Sequence, residues 1–184
     1  MFKERNQLSR FETIILPHLA AAYNLARWLS GNDQDAEDLV QEATLRAFKF
    51  FEGFKGEDAR TWFLTIVRNT CYTQLAHRPR QEQTTMFDED IHGDSSEELN
   101  PEVLILRNAD AKRLKAALEE LPPEYREVIV LRELEELTYK EIAELIGIPI
   151  GTVMSRLARS RKRLQQKLSI SVNQTRKGAT DDLP

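Results

Sequence analysis

The chain has 184 residues, 41% of them hydrophobic and 30% charged, with seven glycines, seven prolines and a formal net charge of −4. That is room for one ordinary domain or two small ones, and the balance excludes a disordered or fibrous chain, while a single cysteine, Cys71, excludes an internal disulfide. No uncharged apolar run reaches the roughly 18 residues that cross a bilayer, and the opening MFKERNQLSRFE carries acids without an apolar core, so neither membrane insertion nor a secretory signal is expected and the cytoplasm is the expected compartment.

Taken in chain order, apolar residues recur at helical spacing from Leu8 to Leu29, and Ser30-Gly31-Asn32-Asp33 supplies a stop and a fresh N-cap. The next helix, about Asp35 to Phe51, buries Leu39, Val40, Ala43, Ala47 and Phe50 or Phe51, and turns Asp38, Gln41, Glu42, Arg46 and Lys49 the other way. A loop over Gly53 to Asp58 carries Phe54, whose place in a loop predicts exposure. A helix of about Ala59 to His77 holds Trp62, Phe63, Ile66 and Val67 and ends near Pro79. Residues 81–101 have the composition of a flexible acidic linker.

The second block begins near Pro101. From Val103 to Leu121 the stripe Leu106, Ala109, Leu114, Ala117, Leu118 and Leu121 is the candidate buried side. Pro122-Pro123 breaks it, and Glu124 to Leu137 forms a helix with Tyr125, Val128, Ile129, Leu131 and Leu134 as apolar positions. Thr138 with Glu141 makes a capping box for a short helix over Ile142, Ala143 and Ile146 that stops at Gly147. Pro149 suits the first turn of the last helix, where its missing N–H costs nothing. That helix has Ile150, Val153, Leu157, Leu164 and Leu168 on its inner stripe. No two-residue alternation points to a strand, so the fold class is all-α.

The net charge averages unlike parts. Residues 81–108 hold one cation and eight acids, whereas Ala59 to Gln81 carries Arg60, Arg68, Arg78 and Arg80 with no acid, and Thr152 to Leu168 carries six cations with no acid. Two basic strips about an acidic connector suit two contacts with a polyanion; each strip is equally a candidate solvated helix face. A pI near 5.5 argues against indiscriminate coating of nucleic acid. The short capped helix, the turn at Gly147 and the basic helix that follows have the form of a helix-turn-helix. A helix fits the major groove, and arginine can bind guanine bidentately there. Phe54, Trp62, Phe63 and Tyr72 beside the first strip fit either stacking on unpaired bases, worth roughly 1–3 kcal/mol per base, or a plain core.

Catalysis finds little support. His18, His77 and His92 lie far apart, and none pairs with Cys71 at metal-ligand spacing. Glu89 to His92 has Glu-x-x-His spacing, but it occurs once and in the linker. The acids from Asp33 to Asp38 suit a helix start rather than an acid–base pair. No metal, cofactor or catalytic residue is expected.

The segments DAEDLVQEATLRAFKFF, FKGEDARTWFLTIVRNT and LPPEYREVIVLRELEELTYKEIAELIGIPIGTVMSRLARSRKRL together resemble the extracytoplasmic-function class of bacterial RNA polymerase sigma factors, over roughly residues 8–80 and 101–168. The resemblance implies two small helical domains, region 2 at 1–80 and region 4 at 106–170, joined by the acidic linker 81–105 and followed by a disordered tail at 171–184. It implies that Asp38, Gln41, Glu42, Arg46 and Lys49 dock on the β′ coiled coil of core polymerase. It implies that Phe54, Lys55, Arg60, Trp62, Arg68 and Asn69 melt and hold the −10 element. Thr152, Ser155, Arg156, Arg159, Lys162 and Arg163 would read the −35 element of promoter DNA while region 4 docks on the β flap. An anti-sigma factor is a further implied partner. Met154, Ala158 and Thr73 depart from residue types common in the family at those places, which bears on the promoter sequence rather than the role. The alternative on the residues alone is a stand-alone helix-turn-helix regulator that binds operator DNA without polymerase.

Overall fold

The computed structural model describes residues 2–56, 58–77 and 101–178, with side chains described over 6–56, 58–77 and 109–169. Among these residues every regular element is helical: α1 (Phe2–Ile15), α2 (Leu19–Ser30), α3 (Asp33–Phe50), α4 (Ala59–His77), α5 (Pro101–Glu119), α6 (Pro123–Ile129), α7 (Tyr139–Ile146) and α8 (Ile150–Gly178). Most of the predicted linker lies outside the described residues, although its last part, 101–105, is the first turn of α5. α8 likewise continues through 171–178, which the sequence assigns to a tail.

The spacing predicts one helix from Leu8 to Leu29, but the chain makes two. Pro17 sits in a 3₁₀ turn, Leu16–His18, between α1 and α2, because proline supplies no N–H to an α-helical interior. The following boundary obeys its signals. Gly31 closes α2 in the left-handed region at φ 90°, and the Asn32 side chain caps α3 by accepting from the Asp35 N–H at 2.8 Å. In the second block the predicted helix from Glu124 ends early: α6 passes into a π turn, Val130–Leu134, whose Glu135 N–H reaches back to the Val130 carbonyl. The wider π turn rotates Leu134 off the α-helical stripe, so Leu134 is exposed where the 3.6-residue period predicts burial. Leu114 and Ile150 are exposed for a different reason: periodicity marks a face that could be buried, not how far the neighbouring helices extend over it. Phe51, not Phe50, is the buried member of its pair, and Val40 is only partly covered.

α2, α3 and α4 pack on one another around Leu25, Leu39, Ala43, Phe63, Leu64 and Val67. α6, α7 and α8 enclose Val128, Leu131, Ile142, Val153 and Leu157. Ser160, fully buried on α8, shares its single O–H between the Tyr125 and Arg156 carbonyls, at 2.9 and 2.8 Å, and the Tyr125 contact ties α8 to α6. The two blocks also meet: α2 lies against α6 and α4 against α7, and their apolar residues form one continuous cluster.

Candidate nucleic-acid interface

Three surfaces carry the residues that the sequence singles out. On α3, residues three and four apart share a face, which gathers Asp38, Gln41, Glu42, Arg46 and Lys49. Asp38, Gln41 and Lys49 are exposed; Glu42 and Arg46 are half-buried and paired with each other at 2.7 Å. In the middle of this polar face stands Leu45, 63% exposed. The sequence reading passes over Leu45, although its distance of seven residues from Asp38 and four from Gln41 puts it on that face.

The second surface surrounds α4. Phe54 is not exposed as its loop position predicts. It is 8% exposed, stacked on Phe51 at 6.0 Å and tilted against Trp62 at 4.8 Å, because three neighbouring aromatics bury more area together than a loop ring does alone. Gly53, Phe54, Lys55, Gly56, Asp58, Thr61 and Trp62 line a cavity of about 490 Å³, with Glu144 of α7 at its wall. The Thr61 hydroxyl is buried without a hydrogen-bond partner, while the Thr61 N–H is capped by Asp58 at 2.9 Å. Lys55 and Asn69 are exposed, and Trp62 is half-buried.

Arg60 and Arg68 take a different direction from Asn69. Arg60 donates to the Glu135 carboxylate at 2.8 Å, and Asn24 of α2 donates to the same carboxylate at 3.2 Å. Arg68 forks onto Glu127 through Nε and, at 3.3 Å, through Nη2, and the Tyr72 hydroxyl donates to Glu127 at 3.3 Å. Glu127 is 1% exposed and Glu135 4%. Burial pushes the Glu127 carboxyl above the ordinary carboxylate range, with the hydrogen bond and charge of Arg68 pulling it back. Burial, followed by the Glu127 charge, raises the Tyr72 phenol. Burial, followed by the Arg60 charge, lowers His18 below the ordinary histidine range, with Asp58 opposing. Cys71 lies on the buried side of α4, its thiol pushed up to about 12 by burial, and is inert as a nucleophile. Arg126 adds a further tie between blocks, donating to the Trp28 carbonyl at 3.0 Å while its other N–H groups hold the Leu118, Glu119 and Leu121 carbonyls at the end of α5. The sequence reading missed Glu127 and Glu135. Their one signal is an acid set among the apolar residues of EVIVLRELEEL.

The third surface is α8. Both bonds of the capping box form, Thr138 N–H to Glu141 at 2.6 Å and Glu141 N–H to Thr138 at 3.2 Å, and Gly147 turns the chain at φ 77° into α8. Val153 and Leu157 are buried, which leaves Thr152, Ser155, Arg156, Arg159, Lys162 and Arg163 on the opposite face. Ser155, Arg159, Lys162 and Arg163 are exposed, while Thr152 and Arg156 are half-buried. Arg163 lies over the Tyr125 ring at 4.6 Å, and Arg161 pairs with Glu133 at 2.6 Å. Among the described residues, Arg159 and Lys162 have no ion-pair partner. Also among them, no three His, Cys, Asp or Glu side chains are grouped to hold a metal ion, and no helix is long and apolar enough to cross a membrane.

Both blocks match known families. Residues 14–81 match Sigma-70 region 2, and residues 111–164 match Sigma-70 region 4. The ECF RNA polymerase sigma-E factor of Escherichia coli K12 is 34% identical over 73% of this chain and 74% of its own. The ECF RNA polymerase sigma factor SigE of Mycolicibacterium smegmatis is 33% identical over 92% of this chain; that match spans 65% of the relative, a little under two thirds of its length. The solved sigma factor RpoE of Bartonella quintana, in complex with the anti-sigma factor NepR, superposes with a TM-score of 0.71 at 31% identity, over 88% of this chain and 98% of that one. Nothing in these likenesses supports the stand-alone operator-binding alternative. The chain belongs to the extracytoplasmic-function sigma factors of the sigma-70 family.

Proposed function

We propose that this chain is a dissociable promoter-specificity subunit of RNA polymerase, acting in the cytoplasm by binding and leaving all chemistry to the core enzyme. Residues 1–80 form the module that grips polymerase and the −10 element, and residues 106–170 the module that docks on the β flap and reads the −35 duplex. The face of Asp38, Gln41, Glu42, Arg46 and Lys49, with Leu45 added at its centre, meets the β′ coiled coil. Phe54, Lys55, Arg60, Trp62, Arg68 and Asn69 serve the melted −10 strand: the aromatics and the cavity beside Thr61 take a base, Asn69 reads an edge, and the cations hold phosphates. Thr152, Ser155, Arg156, Arg159, Lys162 and Arg163 serve the −35 duplex, with Arg159 best placed for a base contact. An anti-sigma factor, as in the complex of the Bartonella relative, is the expected inhibitor.

The observation that carries this reading is the agreement of both modules, in order, with the two sigma-70 regions. Its test is the double variant Asp38→Arg with Glu42→Arg. Co-purification with core polymerase should be lost while the helical circular-dichroism signal is kept; retained co-purification would remove the docking assignment.

A further inference from the structure

Two elements named −10 and −35 have centres about 25 base pairs apart, roughly 85 Å of B-form DNA at 3.4 Å per pair. The blocks here are in direct contact, with α4 against α7 and α2 against α6. One chain in this arrangement cannot hold both elements, so the blocks must part before a promoter is engaged.

What fills their interface is informative. Arg60 and Arg68, two cations of the acid-free strip on α4, are taken up by Glu135 and Glu127 of the other block. A third carboxylate, Glu144, stands at the wall of the cavity that holds Phe54 and Trp62. Arginine forks match carboxylate and phosphate alike. The carboxylates therefore occupy the places that backbone phosphates of a bound strand would need. Both acids are almost fully buried, so the pairing exists only while the blocks are closed.

We propose that the second block is an intramolecular nucleic-acid mimic, with Glu127 and Glu135 latching it over the −10 face so that free protein is closed and does not bind single-stranded DNA. The proposal rests on reading α4 as the −10 face, but its first readout needs neither DNA nor polymerase. Cys71 is buried and its thiol protonated at neutral pH, so spin labels go only to introduced cysteines. Glu12→Cys on α1 and Gln166→Cys on α8 are exposed positions, one in each block.

Electron–electron distance measurements on the labelled full chain should give one narrow, short distribution. Glu127→Gln with Glu135→Gln should broaden and lengthen it, and should tighten binding of a fluorescent poly(dT) strand by about tenfold, as expected when the competent fraction rises by that factor. The charge swap Arg68→Glu with Glu127→Arg should restore the short distance while leaving poly(dT) binding weak, a result that loss of packing alone would not produce. Distances unchanged in the double glutamine variant would overturn the latch. So would a swap that stays open although its helical signal is intact. Distances that respond as stated while poly(dT) affinity stays fixed would overturn the mimicry and locate the fault in the −10 assignment.

Discussion

The two acid-free strips are alike in sequence and opposite in setting. On α4, Arg60 and Arg68 turn inward and meet buried carboxylates 75 and 59 residues further along the chain. On α8, Arg159 and Lys162 stand in solvent with no ion-pair partner among the described residues. A cation on a helix is thus a DNA contact only where the fold leaves it free to be one. On the proposed reading, the α8 strip is free to meet a duplex, whereas the α4 strip must first be uncovered.

The sharpest way to break the contrast is to remove what presents the free strip. Leu157 is buried on the inner stripe of α8, and Leu157→Ala should cost about 2–5 kcal/mol of stability in chemical denaturation, as large-to-small core changes do. A cost under about 1 kcal/mol would mean that α8 does not rest on that stripe. Next comes Arg159→Ala, which should lower run-off transcription from a duplex promoter by the equivalent of about 1–3 kcal/mol while leaving the melting temperature unchanged. Arg68→Ala should behave otherwise and lower the melting temperature too, because it strands Glu127 in the interface. Equal melting temperatures for the two arginine variants would erase the distinction between the strips. The smaller effect belongs to the cap: Thr138→Ala should cost about 1 kcal/mol, read from the same denaturation curves.

Much of the fold is legible in the sequence because its signals are local. Gly31 with Asn32, and Thr138 with Glu141, end and start helices through bonds between residues a few positions apart. The α4 and α8 strips are visible as runs without acids. Other features depend on groups distant in the chain. Phe54 is drawn into an aromatic cluster with Trp62 and Phe51. The partners of Arg60 and Arg68 lie in the other block. Leu134 is displaced by a π turn that the 3.6-residue period does not encode. Pro17 is the exception, a local signal passed over because the apolar spacing runs on across it. Charge sign and helical face are therefore readable from sequence; which charges the fold leaves free is a tertiary fact.

On the proposed function, the two modules become selective for promoters only when core polymerase sets their separation. A mobility-shift titration on one promoter duplex tests it most directly, with the chain alone and with core enzyme added. The chain alone should form no stable sequence-selective complex, and the chain with core should form a selective one. Tight, selective binding by the chain alone, indifferent to core, would contradict it.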